Sequence, residues 1–491
     1  MTGRRAGAAA PPAAAEDRQQ LEVGRPRLAI CYRIGCVEQL DGAVIDVAVI
    51  GAGAAGLAAA DELRRKGLAV AVLEARDRIG GRILTHRDAR VPLPIELGAE
   101  FVHGEAPETG RILRDAGSLA IEVEGDNWEA ENGRLRRSES QWTRIDRLLA
   151  KIDTSGPDLS FADFLARRPG GKSLAQAREE VRFFVQGFHA ADLEQISAHS
   201  LAGSDSGEAR NSGRVLGGYD QVPAWLARHL TSAESGGMLR LGCPVAEIAW
   251  EPGRVELTLG TGERVLSRAA VVTVPLGVLQ APPDAPGAIR FRPEPPRLRK
   301  TLDLLAMGSV LRLVFWFREA PWKLDLAGLP KNRSLDRLGF LFTGDDTFHV
   351  WWTAHPVNAP LAVCWCGGPP AAGLSGRPAA EIASRALRAF ATGLGLPHRR
   401  VESRLVDFWM HDWQTDPWSR GAYSYPRVEG ANAARILARP VKKTIFFAGE
   451  ATAPKGENGT VEGALASGRR AARQVVRALT PGPSPASGRG V

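Results

Sequence analysis

Apolar residues first crowd together in VIDVAVIG, residues 44–51, a nearly unbroken β-branched run that predicts a parallel strand buried on both faces. Gly51 ends it. LAAADELRRKG, 57–67, then predicts a helix stopped by Gly67, and AVAVLEA, 69–75, predicts a second buried strand. Residues 45–75 thus read as one βαβ unit. From about 105 to 204 the pattern turns helical and polar, with short amphipathic pieces such as SFADFLARR and REEVRFFVQGFHA separated by Gly, Pro and Ser. Residues 239–280 return to two-residue alternation with Gly-containing turns, as expected of a meander lying beside the first sheet. SVLRLVFWFREAPW, LGFLFTG, FHVWWTAH and LAVCWCGG predict aromatic-rich strands of a mixed sheet with helices.

The chain ends in a predicted strand, loop and long helix. On that helix Val461, Ala464, Leu465, Gly468, Ala472, Val475, Val476 and Leu479 share one face, and Arg469, Arg470, Arg473 and Arg477 share the other. One side is expected to pack and the arginine side to face water. Residues 1–44 read as a poorly ordered extension and 480–491 as a disordered Pro/Gly/Ser-rich tail.

Composition narrows the function. A chain of 491 residues exceeds one hydrophobic core, and 44 % hydrophobic with 24 % charged residues marks a globular protein. The formal charge is +8, but residues 464–491 alone carry five Arg and no acid, and no basic stripe interleaved with aromatics exists. Nucleic acid is therefore not an expected partner. Five cysteines without a paired framework imply reduced thiols and a cytoplasmic setting. No apolar run of about 18 residues exists, so no membrane span is expected. The N-terminal twenty residues make a poor secretory signal. No zinc-type Cys/His cluster and no G-x-S-x-G element appear, so neither metal nor serine-hydrolase chemistry is expected.

The chemistry lies in GAGAAG after the first strand. Gly51 permits the tight turn, Gly53 lets a pyrophosphate approach the backbone, and Gly56 lets the helix lie close to the strand. Glu74, 23 residues after Gly51, would accept both ribose hydroxyls of an adenosine and repel a 2′-phosphate. The fingerprint serves NAD and FAD alike. Directly after it comes ARDRIGGRI, in which Arg76 and Arg82 add cations beside the phosphates and Gly80–Gly81 brings backbone close to the ligand.

EARDRIGGR, ELGAEFVHG at 96–104, FFAGEAT and ENGTVEGALASGRRAA, in that order, together resemble the flavin-containing amine oxidases, over roughly residues 45–478. The resemblance implies an α/β fold: a discontinuous Rossmann-type FAD-binding domain, 45–104, 205–290 and 435–479, with a second domain of mixed sheet and helices, 105–204 and 291–434, for the substrate. It places Glu74 on ribose, Arg76 and Arg82 by adenosine and pyrophosphate, and Gly81, Gly98 and Ala99 along the cofactor. Val245 would meet adenine through its backbone, and Glu450 the ribityl or pyrophosphate region. Thr460 and Val461 would bring a helix N-terminus to the flavin pyrimidine edge.

On the substrate side, DWQTDPWSRGAYSYP, 412–426, resembles the family's substrate wall. Tyr423 matches one side of its aromatic cage, with Trp418 nearby; the opposite side matches Thr460, where monoamine oxidases carry Tyr, so only half a cage is expected. Either aromatic could instead serve core packing. His103 matches a histidine of several polyamine oxidases. Most members carry Lys four residues after the Gly of MGSVL, set through a water toward flavin N5; here that residue is Arg312, which cannot act as a base. Arg312 could equally be a strand arginine paired with a carboxylate. Ala422 replaces the cysteine that tethers flavin in monoamine oxidases, so FAD is expected to bind noncovalently.

The activity implied is oxidation of a primary or secondary amine, polyamine-like or monoamine, with hydride passing to flavin, an imine hydrolysed by water, and O2 reduced to H2O2. Two alternatives share the same cradle: an FAD oxidase or desaturase acting on a C–C bond, and a non-catalytic FAD-binding interaction module.

Overall fold

The computed structural model describes residues 45–131, 133–138, 141–203, 212–230, 237–454 and 456–480. The expected extension 1–44 lies outside them, as does the tail beyond Thr480. The β-branched run forms β1, Ile45–Ile50, followed by α1, Ala54–Arg65, and β2, Val70–Leu73. β1 pairs in parallel with β2 on one side and with Arg264–Val272 on the other, Val47 lying opposite Val70 and Ala269. Every β2 residue is buried, as a parallel strand covered on both faces requires.

Eight strands make up this sheet. Gly237–Arg240 pairs with β2 at one edge, and Arg264–Val272 also takes Ile445–Phe447 as a parallel neighbour. The meander Val245–Glu251, Arg254–Leu259 and Arg264–Val272 therefore does not lie beside the first sheet. Its last strand pairs antiparallel with Arg254–Leu259 over residues 264–267 and parallel with β1 over residues 267–272, which fuses the two.

The last helix, Val461–Leu479, packs with α1 over one face of that sheet, where Leu57, Leu63, Leu465, Ala472 and Val475 share one core. Contact is close: a Cβ added to Gly468 would overlap the Ala55 carbonyl. The expected outward face of arginines holds for Arg473 and Arg477, which are exposed, and needs correction for Arg469 and Arg470. Arg469 is only 6 % exposed and pairs with Glu62 and Glu108, while Arg470 reaches the carbonyls of Ala438 and Phe447. Burial pulls the Arg470 guanidinium down to about 10. Their partners lie in α1, in the helix Pro107–Asp115, in the strand Ile445–Phe447 and at Ala438, so helical periodicity alone could not reveal them.

A second, seven-stranded sheet runs in the order Leu405–Asp412, Val310–Phe317, Leu361–Gly367, Val350–Thr353, Leu338–Phe342, Asp126–Glu131 and Arg134–Arg137. Its aromatic strands form a core with the helix Ala379–Gly393, in which Trp351 stacks on Phe390 at 4.3 Å. Burying each such ring contributes roughly 1.5–3 kcal/mol. The last two strands of this order, at 126–137, fall in the stretch expected to be helical. Most of their residues are polar because only alternate positions such as Trp128 and Leu135 turn inward. Helices between Gln141 and Leu201 form a separate apolar cluster. Among the described residues no helix is long and apolar enough to cross a membrane.

Candidate active site

The turn after β1 determines what the first sheet can hold. Gly51 has φ +104, and a Cβ there would stand 2.8 Å from Thr273 Oγ1. A Cβ on Gly56 would overlap the Gly51 carbonyl. Gly53 differs: the nearest atom to an added Cβ is Gly81 Cα at 4.0 Å, so the missing side chain leaves open space between two backbone segments. Gly53 is also the N-cap of α1, with no side-chain cap and no acid in the first turn. The first N–H groups of the helix and its positive end are thus unsatisfied at that space. Glu74 borders it. One of its oxygens accepts the Ala52 N–H at 2.6 Å and the other the Arg76 N–H at 2.9 Å. Burial raises its pKa against those two bonds.

One cavity of about 1000 Å³ extends from this turn. Every residue singled out from the sequence borders it except Gly56, whose place is against the turn: Gly51, Gly53, Glu74, Arg76, Gly81, Arg82, Gly98, Ala99, Val245, His103, Arg312, Trp418, Tyr423, Glu450, Thr460 and Val461. Open space at Gly53, uncapped helix N–H groups and a buried carboxylate on the second strand suit an adenine dinucleotide. The residues present fit the group.

Several charges are placed differently from the sequence expectation. Arg76 and Arg82 do not present unpaired cations to phosphates. Arg76 NH1 lies 2.8 Å from both Asp416 oxygens, and NH2 bonds Ser419 Oγ. Burial raises the Asp416 carboxyl, but bonds from His411 and Arg76 outweigh it and hold it at about 2. Arg82 donates to the Ala422 carbonyl at 2.6 Å and to Glu450 at 3.0 Å. The other Glu450 oxygen accepts from Ser424 N and Oγ and from Gly459 N. Glu450 therefore ties the GGR loop, the Tyr423 strand and the approach to the last helix together. These partners are 340 and 368 residues from their arginines, a distance at which sequence patterns carry no pairing signal.

Arg312 takes the carboxylate-paired form. It is 3 % exposed, donates to the Gly98 carbonyl at 2.9 Å and meets Glu100 at 2.5 Å. Arg214 holds the other Glu100 oxygen at 2.5 Å, and the Trp352 indole N–H adds a bond at 3.0 Å. Burial pushes the Glu100 carboxyl up, yet Arg312 and Arg214 prevail and it ends below the ordinary range.

Tyr423 borders the cavity, its ring packed on Gly459 beside Thr460 and its hydroxyl donating to the Phe188 carbonyl at 2.6 Å. Burial and the Glu450 charge raise its pKa. The Thr460 hydroxyl accepts from Gly463 N and donates to the Glu457 carbonyl, so it is spent on capping the last helix. His103 Nδ1 lies 3.0 Å from Ser212 Oγ, and its ring meets Phe188 edge-on. Trp418 belongs to a different neighbourhood. It lies against Gly287, with its backbone N–H donating to Asp416, the carboxylate that holds Arg76. Cys364 and Cys366 are buried core residues, and burial raises both thiols.

Sequence reasoning missed Glu100, Arg214, Trp352, Asp416, Phe188 and His189. Phe188 and His189 follow the helix Ala175–Gly187, whose aromatic run was visible, but only the fold shows that the run borders a cavity. Burial alone lowers His189 to about 4.

A family model described as flavin containing amine oxidoreductase matches residues 54–476. Polyamine oxidase 3 of Oryza sativa subsp. japonica is 28 % identical over 87 % of this chain and 88 % of its own length. Polyamine oxidase 2 of Arabidopsis thaliana is 28 % identical over 91 % of this chain and 90 % of its own. Among solved structures, a putrescine oxidase with bound putrescine superposes with TM-score 0.73 at 24 % identity, covering 89 % of this chain and 99 % of that one.

Proposed function

Because the chain belongs to the flavin-containing amine oxidoreductases, we propose that it oxidises a primary or secondary amine, polyamine-like or monoamine, to an imine, with O2 reduced to H2O2. Its assignment as an FAD-dependent amine oxidoreductase rests on the family. The observation that carries the finer reading is that one cavity borders both the nucleotide cradle and an aromatic group formed by Phe184, Phe188 and Tyr423. Two curated relatives are named polyamine oxidases, and a structural neighbour binds putrescine.

Gly53, Glu74, Gly81, Gly98, Ala99, Val245 and the N-terminus of the last helix at Thr460 and Val461 would hold FAD, which supplies the acceptor for a hydride. Arg76 and Arg82 act through Asp416 and Glu450 in keeping the loops around it in place. With no cysteine at Ala422, the cofactor is noncovalent. The aromatic faces attract the amine and exclude water from it. The substrate nitrogen must be neutral when the neighbouring C–H bond breaks, so activity rises with pH through the apparent pKa of the bound amine. Overall, amine, water and O2 give aldehyde, the smaller amine or ammonia, and H2O2.

The partition into an FAD domain (45–104, 205–290, 435–479) and a substrate domain (105–204, 291–434) belongs to the same reading. It is supported by the separation of the eight-stranded and seven-stranded sheets. Unpaired Cys243, Cys364 and Cys366 agree with a cytoplasmic setting. The test is peroxide release from the FAD-loaded protein with putrescine, spermidine, spermine, tyramine and tryptamine, alongside Tyr423→Ala. Peroxide formed in proportion to amine consumed, and reduced by Tyr423→Ala, supports amine oxidation. Bound FAD with no peroxide from any amine points to a binding module or to an oxidase of C–C bonds, and amine turnover indifferent to Tyr423→Ala removes Tyr423 from the amine site.

A further inference from the structure

The polar groups around Tyr423 are nearly all committed. The Tyr423 hydroxyl and the Phe188 carbonyl satisfy each other, the Gly187 carbonyl accepts the Trp365 indole, and the Thr460 hydroxyl caps a helix. Three residues bordering the cavity carry a buried side-chain nitrogen with no hydrogen-bond partner among the described residues. Arg312 Nε belongs to a guanidinium already paired with Glu100, and His349 Nδ1 to a ring that stacks on Phe183 at 4.2 Å; the third is His189 Nε2, next to Phe188. The His189 ring stands edge-on to Phe184 and Phe188, at 5.2 and 5.4 Å, and those two rings are stacked on each other. Buried polar groups are ordinarily paired, so an uncommitted imidazole on a cavity wall calls for a ligand.

We propose that His189 is a substrate-binding residue that receives the second amino group of an α,ω-diamine or polyamine while its first amine is oxidised. The assignment rests on the amine-oxidase reading of the same cavity. A neutral imidazole can turn one N–H toward the aromatic faces and leave its other nitrogen as an acceptor. An alkylammonium brings donors for that nitrogen, and its charge suits the faces of Phe184 and Phe188. Low basicity caused by burial fits, since a protonated imidazole would repel such a ligand. Three of the cavity carboxylates are occupied otherwise, Glu100 by two arginines, Glu450 by Arg82 and Ser424, and Glu74 by two backbone N–H groups, whereas Glu124 is exposed and lies 3.8 Å from Arg337.

The experiment compares wild type, His189→Phe and His189→Gln with putrescine and with butylamine, which has the same carbon chain and one amine. For putrescine, His189→Phe raises KM at least tenfold with kcat changed less than threefold. Butylamine kinetics stay within threefold, and His189→Gln recovers most of the putrescine KM. Equal losses on both amines, or none on either, overturn the proposal and leave His189 as packing. A second readout needs no turnover: 15N-histidine NMR of the holoenzyme reduced beforehand with dithionite. Putrescine shifts the signal that His189→Phe removes, and an unmoved signal overturns the proposal. A wild type that oxidises no amine yet shows this shift separates failure of the catalytic reading from failure of the binding one.

Discussion

Glu100 lies between the guanidiniums of Arg214 and Arg312, so replacing it tests how the cavity wall is held. Glu100→Gln leaves two buried cations without their counter-ion and is expected to cost about 3–5 kcal/mol of unfolding free energy in urea titrations. The folded pKa of Glu100 lies below its unfolded value, so its contribution is present above the ordinary carboxylate pKa and lost as pH falls through the folded one. Wild type should lose stability on acidification more steeply than Glu100→Gln. Glu96 behaves oppositely, because burial raises it to about 7 while Tyr219 N and Thr85 Oγ1 bond to it. Its stabilising protonated state is complete below pH 4.5 and disappears as pH rises toward about 7. Glu96→Gln keeps the Tyr219 bond through its amide oxygen and the Thr85 contact with the hydroxyl turned to accept from the amide NH2, and should gain on the order of 3 kcal/mol at alkaline pH. An equal stability difference at pH 4 and pH 8 would refute that assignment.

At the scale of elements, the close contact between α1 and the last helix sets the width of the cradle's support. Gly468→Leu forces a side chain into the Ala55 carbonyl and should lower stability by about 1–3 kcal/mol and weaken FAD binding in parallel, read by thermal melts with and without FAD. A normal FAD affinity with a lowered melt would show that the helix contact does not shape the cradle. The βαβ unit and the last helix were legible in the sequence because their patterns are local: β-branched runs, a glycine turn and an apolar helical face. The strands at 126–137 were not, since their one buried face leaves a mostly polar string. Likewise Arg469 read as a surface residue because Glu62 and Glu108, which neutralise it, come from elements far along the chain. Motifs located the cavity's residues, whereas the ion pairs that commit Arg76, Arg82 and Arg312 depend on the assembled fold.

The whole molecule brings distant segments to one cavity, and folding and cofactor binding should be separable within it. Gly53 has extended backbone, φ −78 and ψ −175, which any residue adopts, and it occupies the N-cap of α1. Gly53→Asp is therefore expected to leave apoprotein stability unchanged within about 0.5 kcal/mol, because Asp is a favourable N-cap. The same carboxylate would occupy the phosphate space and repel the ligand, lowering FAD affinity at least a hundredfold in fluorescence titrations. An unfolded variant, or one that binds FAD normally, would contradict this use of the cradle. The central claim is that the cradle and the aromatic group serve one reaction in one cavity. Its most direct test is the visible spectrum of the FAD-loaded protein during anaerobic addition of putrescine. The account predicts loss of the oxidised flavin bands, and their return with H2O2 when air is admitted; a preparation that takes up no FAD, or whose spectrum no amine changes, would contradict it.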